Sequence, residues 1–253
     1  MLVCAWALMM SGCGAQRELT VMTYNIHHAQ GMDAKLDVAR IARVIAKEKP
    51  DLVALQEVDA GAKRTNGVMQ PEELARRLKM HHAYGPAMDF QGGKYGNAIL
   101  SRHEIVETRV IALPHKPGEQ REPRSAVATI VKLPGGREIA FVSTHFDHTS
   151  RAPDRLDQAK ALNQRLDDVR EPAILAGDFN CEPGSPPMQE LDSTWDLASD
   201  PEQLTCPADR PRLRIDHVLV KPRKTWRVIE SKVVDEPVAS DHRPVVVKLK
   251  LAK

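Results

Sequence analysis

Ala173-Ile174-Leu175-Ala176 runs straight into Gly177-Asp178-Phe179-Asn180, and Ser240-Asp241-His242 stands just ahead of Pro244-Val245-Val246-Val247. Short apolar runs without polar alternation suit strands that are covered on both faces. Leu52-Val53-Ala54-Leu55 leads into Gln56-Glu57 in the same way, Asp216 precedes His217-Val218-Leu219-Val220, and Asn25 follows Met22-Thr23-Tyr24. The runs at 52–55, 173–176 and 217–220 therefore predict central strands. Their ends carry carboxylates, amides and imidazoles, and strand ends are where a sheet protein displays its chemistry. Together Asn25, Glu57, Asp178, Asp216 and Asp241 read as an oxygen-rich site for a hard divalent cation, with histidines beside it.

The rest of the chain fits this frame. Strands are expected at 18–26, 82–88, 95–101, 104–112, 124–132, 138–146, 172–178, 214–220, 225–234 and 243–250, besides the one that ends at Glu57. Val38, Ile41, Val44 and Ile45 recur at helical spacing, so 36–48 predicts an amphipathic helix stopped by Pro50. A second helix is expected from Pro71 to Lys79, with proline in its first turn, and a third on the stripe from Ala152 to Val169. Strands outnumber helices. Helices on the outer faces of two packed sheets would cover all of these apolar stripes.

A chain of 253 residues without repeats or an evident linker is expected to form one domain over 17–253. Lys+Arg 36 against Asp+Glu 34 is nearly balanced, which gives no sign of a dedicated polyanion surface. Aromatic residues are only 4%, so platforms for stacking unpaired bases are few. Residues 1–16 carry no charged side chain and read as a leader. Leu2 to Met10 is too short to span a bilayer. It ends in Ser11-Gly12-Cys13-Gly14, which resembles a bacterial lipoprotein cleavage box with Cys13 as the lipidated residue. This predicts export, with a periplasmic or membrane-tethered protein. Cys181 and Cys206 are either a disulfide or two separate thiols.

Oxygen ligands without cysteine suit Mg²⁺, with Mn²⁺ as a substitute, more than Zn²⁺. Glu57 is the strongest ligand candidate, because a carboxylate at the end of an apolar run is costly without a cation or hydrogen bonds. His145 closes Val142-Ser143-Thr144, and His242 follows Asp241. Each imidazole beside a carboxylate-bearing strand end can hold or donate a proton near neutral pH. Asp216 either orients one of them or forms a buried salt bridge with Arg212 or Arg214.

The ordered series Tyr24-Asn25-Ile26, Leu55-Gln56-Glu57-Val58, Gly96-Asn97-Ala98-Ile99-Leu100-Ser101-Arg102, Thr144-His145-Phe146, Gly177-Asp178-Phe179-Asn180, Ile215-Asp216-His217 and Ser240-Asp241-His242 resembles the endonuclease/exonuclease/phosphatase superfamily. Each motif is short, but their order is specific, and together they cover residues 20–250. The resemblance implies a four-layer α/β sandwich with the site at one edge of two mostly antiparallel or mixed sheets. It implies that Glu57 binds Mg²⁺, helped by Asn25 and Asp241. Asp178 and Asn180 would position or deprotonate the attacking water. His242, oriented by Asp216, would hold phosphate oxygens or share in proton transfer, and His145 would act on the leaving-group side. Arg124 matches a phosphate-holding position, and Asn97 and Arg64 join it as substrate-binding candidates. His27, His28 and His115 are candidates for the mouth of the site.

The expected activity is therefore Mg²⁺-dependent hydrolysis of a phosphodiester or phosphomonoester by in-line water attack, on a nucleic acid, a phospholipid headgroup or a small molecule, by a monomer. A nuclease and a non-catalytic binding module on the same fold are the alternatives. A hydrolase working through paired carboxylates alone fits the amides and histidines less well. Departures bear on the substrate. The only tryptophans are Trp6, Trp195 and Trp226, so the paired-Trp segment of exonuclease III-type enzymes is missing. Cys181-Glu182 follow the Gly-Asp-x-Asn core where inositol phosphatases carry an aromatic and Arg, and Phe146-Asp147-His148 replaces the His-x-Gln typical of sphingomyelinases.

Overall fold

A computed structural model describes residues 18–115, 122–149 and 152–251. The leader and Cys13 lie outside the described residues. Twelve strands and four α-helices follow one another as β1 (Glu18–Asn25), α1 (Val38–Glu48), β2 (Leu52–Ala60), α2 (Gln70–Leu78), β3 (His81–Phe90), β4 (Gly93–Ser101), β5 (Glu104–Leu113), β6 (Arg124–Lys132), β7 (Glu138–His145), α3 (Ala152–Arg165), β8 (Ala173–Asp178), α4 (Pro186–Asp192), β9 (Asp196–Leu197), β10 (Asp216–Lys221), β11 (Trp226–Val233) and β12 (Val245–Leu251). They form two six-stranded sheets, in the orders β11-β12-β1-β2-β4-β3 and β5-β6-β7-β8-β10-β9. Both are mixed. β1 pairs with β2 in parallel and β7 with β8 in parallel, while the other pairings are antiparallel.

Apolar burial explains the layering. Val21, Leu52, Ala54, Ile99 and Val245 of one sheet meet Val127, Phe141, Ile174, Ala176 and Val218 of the other in a central core. The alternate residues of the first sheet, Met22, Tyr24, Val53, Leu55 and Leu100, turn outward onto Ile41 and Ile45 of α1 and Leu74 of α2. Val142, Leu175 and Leu219 of the second sheet turn onto Leu162 of α3 and Met188 and Leu191 of α4. The strand period of two thus lets each sheet feed two cores, the shared one between the sheets and its own under the helices. The result is the expected sandwich: helices, sheet, sheet, helices. The expected central strands are interior in both sheets.

Three local expectations need correction. β2 does not end at Glu57 but runs on to Ala60, with the register against β4 shifting between Leu55 and Val58. A bulge here puts Glu57 at φ 57°, so the strand turns the side chain out without stopping. α4 was not anticipated: Pro186-Pro187 reads as a breaker, yet proline is tolerated in a first helical turn, and Met188 and Leu191 anchor the helix. β9, only two residues long, carries no periodicity to read. Cys181 and Cys206 are free thiols, which settles that alternative against the disulfide.

Candidate active site

Strand register assembles the site before any side chain is considered. His145 lies opposite Asp178 in the β7–β8 ladder, and Asp216 lies opposite Asp178 in the β8–β10 ladder. One imidazole and two carboxylates therefore stand in a row at the end of the second sheet. Their close approach needs Gly177, because a Cβ there would sit 2.1 Å from the Thr144 carbonyl oxygen. In the first sheet Asn25 lies opposite Gln56, one residue before the bulged Glu57. Gln56 fixes the sheets to each other: it accepts from Thr23 Oγ1 at 3.2 Å, donates to Ser143 Oγ at 3.1 Å, and Ser143 donates on to the Leu55 carbonyl.

Asn25 bridges the two halves. Its Nδ2 donates to Glu57 Oε1 and to Asp178 Oδ2, each at 3.1 Å, while its Oδ1 accepts the His27 backbone N–H. Ser240 donates to the Asn25 carbonyl at 2.7 Å and to Asp241 Oδ1 at 3.2 Å, so the Ser240-Asp241-His242 segment is tied to the end of β1. Asp178 also accepts the Asn180 backbone N–H at 2.9 Å, and Asn180, at φ 50°, donates through its amide to the Phe146 carbonyl.

Three buried ionisable groups stand together, with His242 between two carboxylates. His242 Nδ1 lies 2.9 Å from Asp216 Oδ2, and its Nε2 lies 3.7 Å from Asp178 Oδ2. Burial alone would lower the His242 pKa, but the Asp216 and Asp178 carboxylates outweigh it and hold the imidazole well above its ordinary value. Burial would raise Asp216, yet the charge and hydrogen bond of His242 keep it below the usual carboxylate range. Asp178 goes the other way. Burial first and Asp216 second push its carboxyl up to about 7, against the pull of His242 and the donors from Asn180 and Asn25. The salt bridge considered for Asp216 is thus with His242, while Arg214 donates to the Asp216 backbone carbonyl.

Arg124 orients two further imidazoles. Its guanidinium lies 3.1 Å from His145 Nδ1, 2.7 Å from His148 Nδ1 and 3.0 Å from the Glu122 carboxylate. A guanidinium only donates, so both Nδ1 atoms accept and both Nε2 atoms carry the proton. Burial and then the Arg124 charge push His145 well below its ordinary value, so it is a neutral N–H donor, with Nε2 3.5 Å from Asp178 Oδ2.

These groups face a cleft of 320 Å³ that also takes in Glu57, Asp241, His27, His28 and Arg64. The Arg64 fork is bidentate on the fully buried Asp59, at 2.8 Å twice, and its guanidinium lies 4.4 Å from the centre of the Phe90 ring. It is therefore a braced wall rather than a free cation. Asn97 is not part of the cleft wall. It is buried behind it and donates to the Ser125 carbonyl at 2.8 Å, next to Arg124. His115 is exposed and is not among the residues that line the cleft. His148, Phe90 and Tyr95 line the cleft without having been singled out; the one available signal was that His148 lies three residues after His145. Burial raises the Cys181 thiol to about 11, which leaves it no role as a nucleophile.

The donor set fits a hard dication. Glu57 and Asp241 present carboxylates to the cleft, and Glu57 keeps one oxygen beyond the one bonded to Asn25. The profile of the Endonuclease/Exonuclease/phosphatase family matches residues 22–242, which spans every element of this site. The chain belongs to that family. The YbhP protein of Escherichia coli K12 is 26% identical over 93% of this chain and 98% of its own length. Among solved structures, a family member from Beutenbergia cavernae is 29% identical, with a TM-score of 0.73 over 93% of this chain and 72% of its own. The same fold recurs in a mannosyl-6-phosphatase from Bacteroides thetaiotaomicron, at a TM-score of 0.73, 22% identity, and coverage of 91% of this chain and 99% of that one. Members of the family are hydrolases that act on phosphate esters with divalent metals.

Proposed function

We propose that this protein is a Mg²⁺-dependent phosphoesterase that hydrolyses a phosphodiester or phosphomonoester by in-line attack of water. The observation that carries the reading is the Asp178 carboxyl, raised to about 7 and surrounded by Asn25, Asn180, His145 and the His242–Asp216 pair. A carboxyl near 7 is matched to taking a proton from water at neutral pH. The imidazolium of His242 offers its Nε2–H to the phosphoryl oxygens, where negative charge concentrates, and Asp216 keeps it charged and oriented. His145, held neutral by burial and by the Arg124 charge, offers Nε2–H toward the departing oxygen. Arg124 acts as a positioning residue through His145 and His148. Glu57 and Asp241, with Asn25 bracing Glu57, would hold Mg²⁺ or Mn²⁺, which would act as a Lewis acid on the phosphate.

The 320 Å³ cleft matches the lower end of small-ligand sites. Its partly exposed aromatic, Phe90, is already stacked by Arg64, which leaves little face for unpaired bases. Both points favour a compact phosphate ester over a nucleic-acid strand. Export and a lipid tether at Cys13 are part of the same proposal; Cys13→Ser should abolish palmitate labelling and membrane association.

The test is Mg²⁺-dependent hydrolysis by residues 17–253 across p-nitrophenyl phosphate, bis(p-nitrophenyl) phosphate, a hexose 6-phosphate, a phosphatidylinositol phosphate, sphingomyelin and plasmid DNA, with EDTA and Glu57→Ala controls. Turnover of a small ester that both controls abolish supports the reading. Turnover that survives Glu57→Ala would sink the metal-site assignment, and cleavage confined to DNA would replace the small-ester reading with the nuclease.

A further inference from the structure

His27 and His28 follow Asn25 on a short 3-10 turn, His27–Ala29, where the backbone is held in an unusual shape. His27, His28 and Ala29 all have positive φ, at 44°, 43° and 63°. Each such non-glycine residue costs on the order of 1 kcal/mol and persists only where its surroundings impose it. The turn sets the two rings 4.4 Å apart, centroid to centroid, at 66°. Gln30 then binds both rings on one side. Its backbone carbonyl lies 3.1 Å from His27 Nδ1, and its Oε1 lies 3.2 Å from His28 Nε2. Both are acceptors, so each of these nitrogens carries a proton, and a lone pair on either ring can only be on its other nitrogen.

The lone-pair nitrogen of His28 is Nδ1. It is buried, belongs to a residue only 6% exposed, and has no hydrogen-bond partner. A buried acceptor without a donor carries a desolvation penalty of about 1–3 kcal/mol. Glu57 stands beside the pair, and His27, His28 and Glu57 each bring one ligand atom within 4.8 Å of the others. Glu57 itself is turned there by the bulge in β2. Two imidazoles and a carboxylate, with one nitrogen of each ring hydrogen-bonded to an oxygen acceptor, match the arrangement that orients histidine ligands around a metal. A lone pair rejects a phosphate oxygen and accepts a cation.

We propose that His27, His28 and Glu57 form a nitrogen-containing site for a transition-metal dication of the Mn²⁺, Fe²⁺, Co²⁺ or Zn²⁺ type. The proposal rests on the reading of Glu57 as a metal-side carboxylate. Two imidazoles shift the preference of a carboxylate site away from Mg²⁺, which keeps to oxygen, and toward borderline ions. All three residues line the cleft where the phosphate ester is expected. The choice between Mg²⁺ and Mn²⁺ at Glu57 would then rest on two residues that line the cleft, and not on the Asp178 cluster, whose three ligand-type groups are buried, with His242 hydrogen-bonded to Asp216 and 3.7 Å from Asp178.

The experiment is Mn²⁺ binding to the chelator-stripped protein, followed by calorimetry and by pulsed electron paramagnetic resonance for coupling to imidazole ¹⁴N. The expected result is ¹⁴N coupling from imidazole, with Mn²⁺ affinity falling at least tenfold in His27→Gln and in His28→Gln while Mg²⁺ affinity moves less. His27 is half-buried, so its variant guards against misfolding of the other, and circular dichroism checks both. Absence of ¹⁴N coupling overturns the proposal, as does coupling or affinity that survives both substitutions. Mg²⁺-supported hydrolysis without ¹⁴N coupling would remove this site and leave the proposed function standing. Coupling without any turnover would do the reverse.

Discussion

Replacing Asp216 with asparagine removes one charge while keeping the shape of the side chain. Asp216 Oδ2 lies 2.9 Å from His242 Nδ1, and both side chains are more than nine-tenths buried. Unit charges about 4 Å apart at an effective dielectric near 20 interact by roughly 4 kcal/mol. Losing that much support for the imidazolium weakens proton binding by about a thousandfold, at 1.36 kcal/mol per tenfold. Asp178, 3.7 Å from the other ring nitrogen, retains part of the attraction. The expected fall in kcat/KM at pH 7.5 is therefore on the order of 10²–10³, somewhat less than removing the carboxylate from a serine-protease triad costs. The assay is Mg²⁺-dependent release of p-nitrophenol from whichever chromogenic ester the wild type accepts, alongside a ¹⁵N titration of the His242 ring. The His242 ring of the variant should titrate at a lower pH than that of the wild type. A loss of less than about threefold, or an unmoved His242 titration, would refute the claim that Asp216 holds the imidazole charged.

Three further outcomes are expected. Arg124→Met should lower kcat/KM by roughly 10–100-fold by freeing His145 and His148, in the range seen when an imidazole loses its orienting partner, and Arg124→Lys should not restore it, because a single Nζ does not reproduce the two nitrogens of the planar fork that reach the two rings separately; full activity in the lysine variant would count against the forked role. In the metal-free protein, Asp178 holds a proton up to about 7 that the unfolded chain releases near 4, so stability falls as pH rises between those values. Loss of the His242 proton extends the fall above that range, while protonation of Asp216 sets the acid limb. Thermal melts in EDTA from pH 4 to 9 should show this slope, Asp178→Asn should flatten it, and equal slopes would contradict the raised carboxyl. Phe141→Ala empties a fully buried position between the sheets and should cost about 3–5 kcal/mol in urea denaturation; a cost under about 1 kcal/mol would mean that the two sheets do not share the core described.

The motifs at Asn25, Glu57, Asp178, Asp216 and Asp241 were legible because buried strands leave a strong local mark: apolar runs with a polar group at the end. Glu57 was found for this reason even though its strand continues. The bulge that turns it outward depends on pairing with β4, which no local pattern encodes. Arg124 was found by resemblance, but its partners were not. That its guanidinium binds His145 and His148 follows from where β6, β7 and the loop after β7 come together. Arg64 read as a substrate-binding candidate, and only the fold shows that Asp59 and Phe90 hold it.

By itself the sequence determined the alternation that builds two sheets and their helical covers, and the identity of the charged groups at their edges. Apolar periodicity and residue chemistry are properties of short segments, and they survive without tertiary context. Only the folded chain decided which proton sits where. Asp178 and Asp216 are the same residue type on neighbouring strands, yet one is pushed up and the other down. The difference lies in which of them His242 grips at 2.9 Å and which it meets at 3.7 Å. Charge interactions in a buried site vary steeply with such distances, and distances between residues far apart in sequence exist only once the sheets have packed.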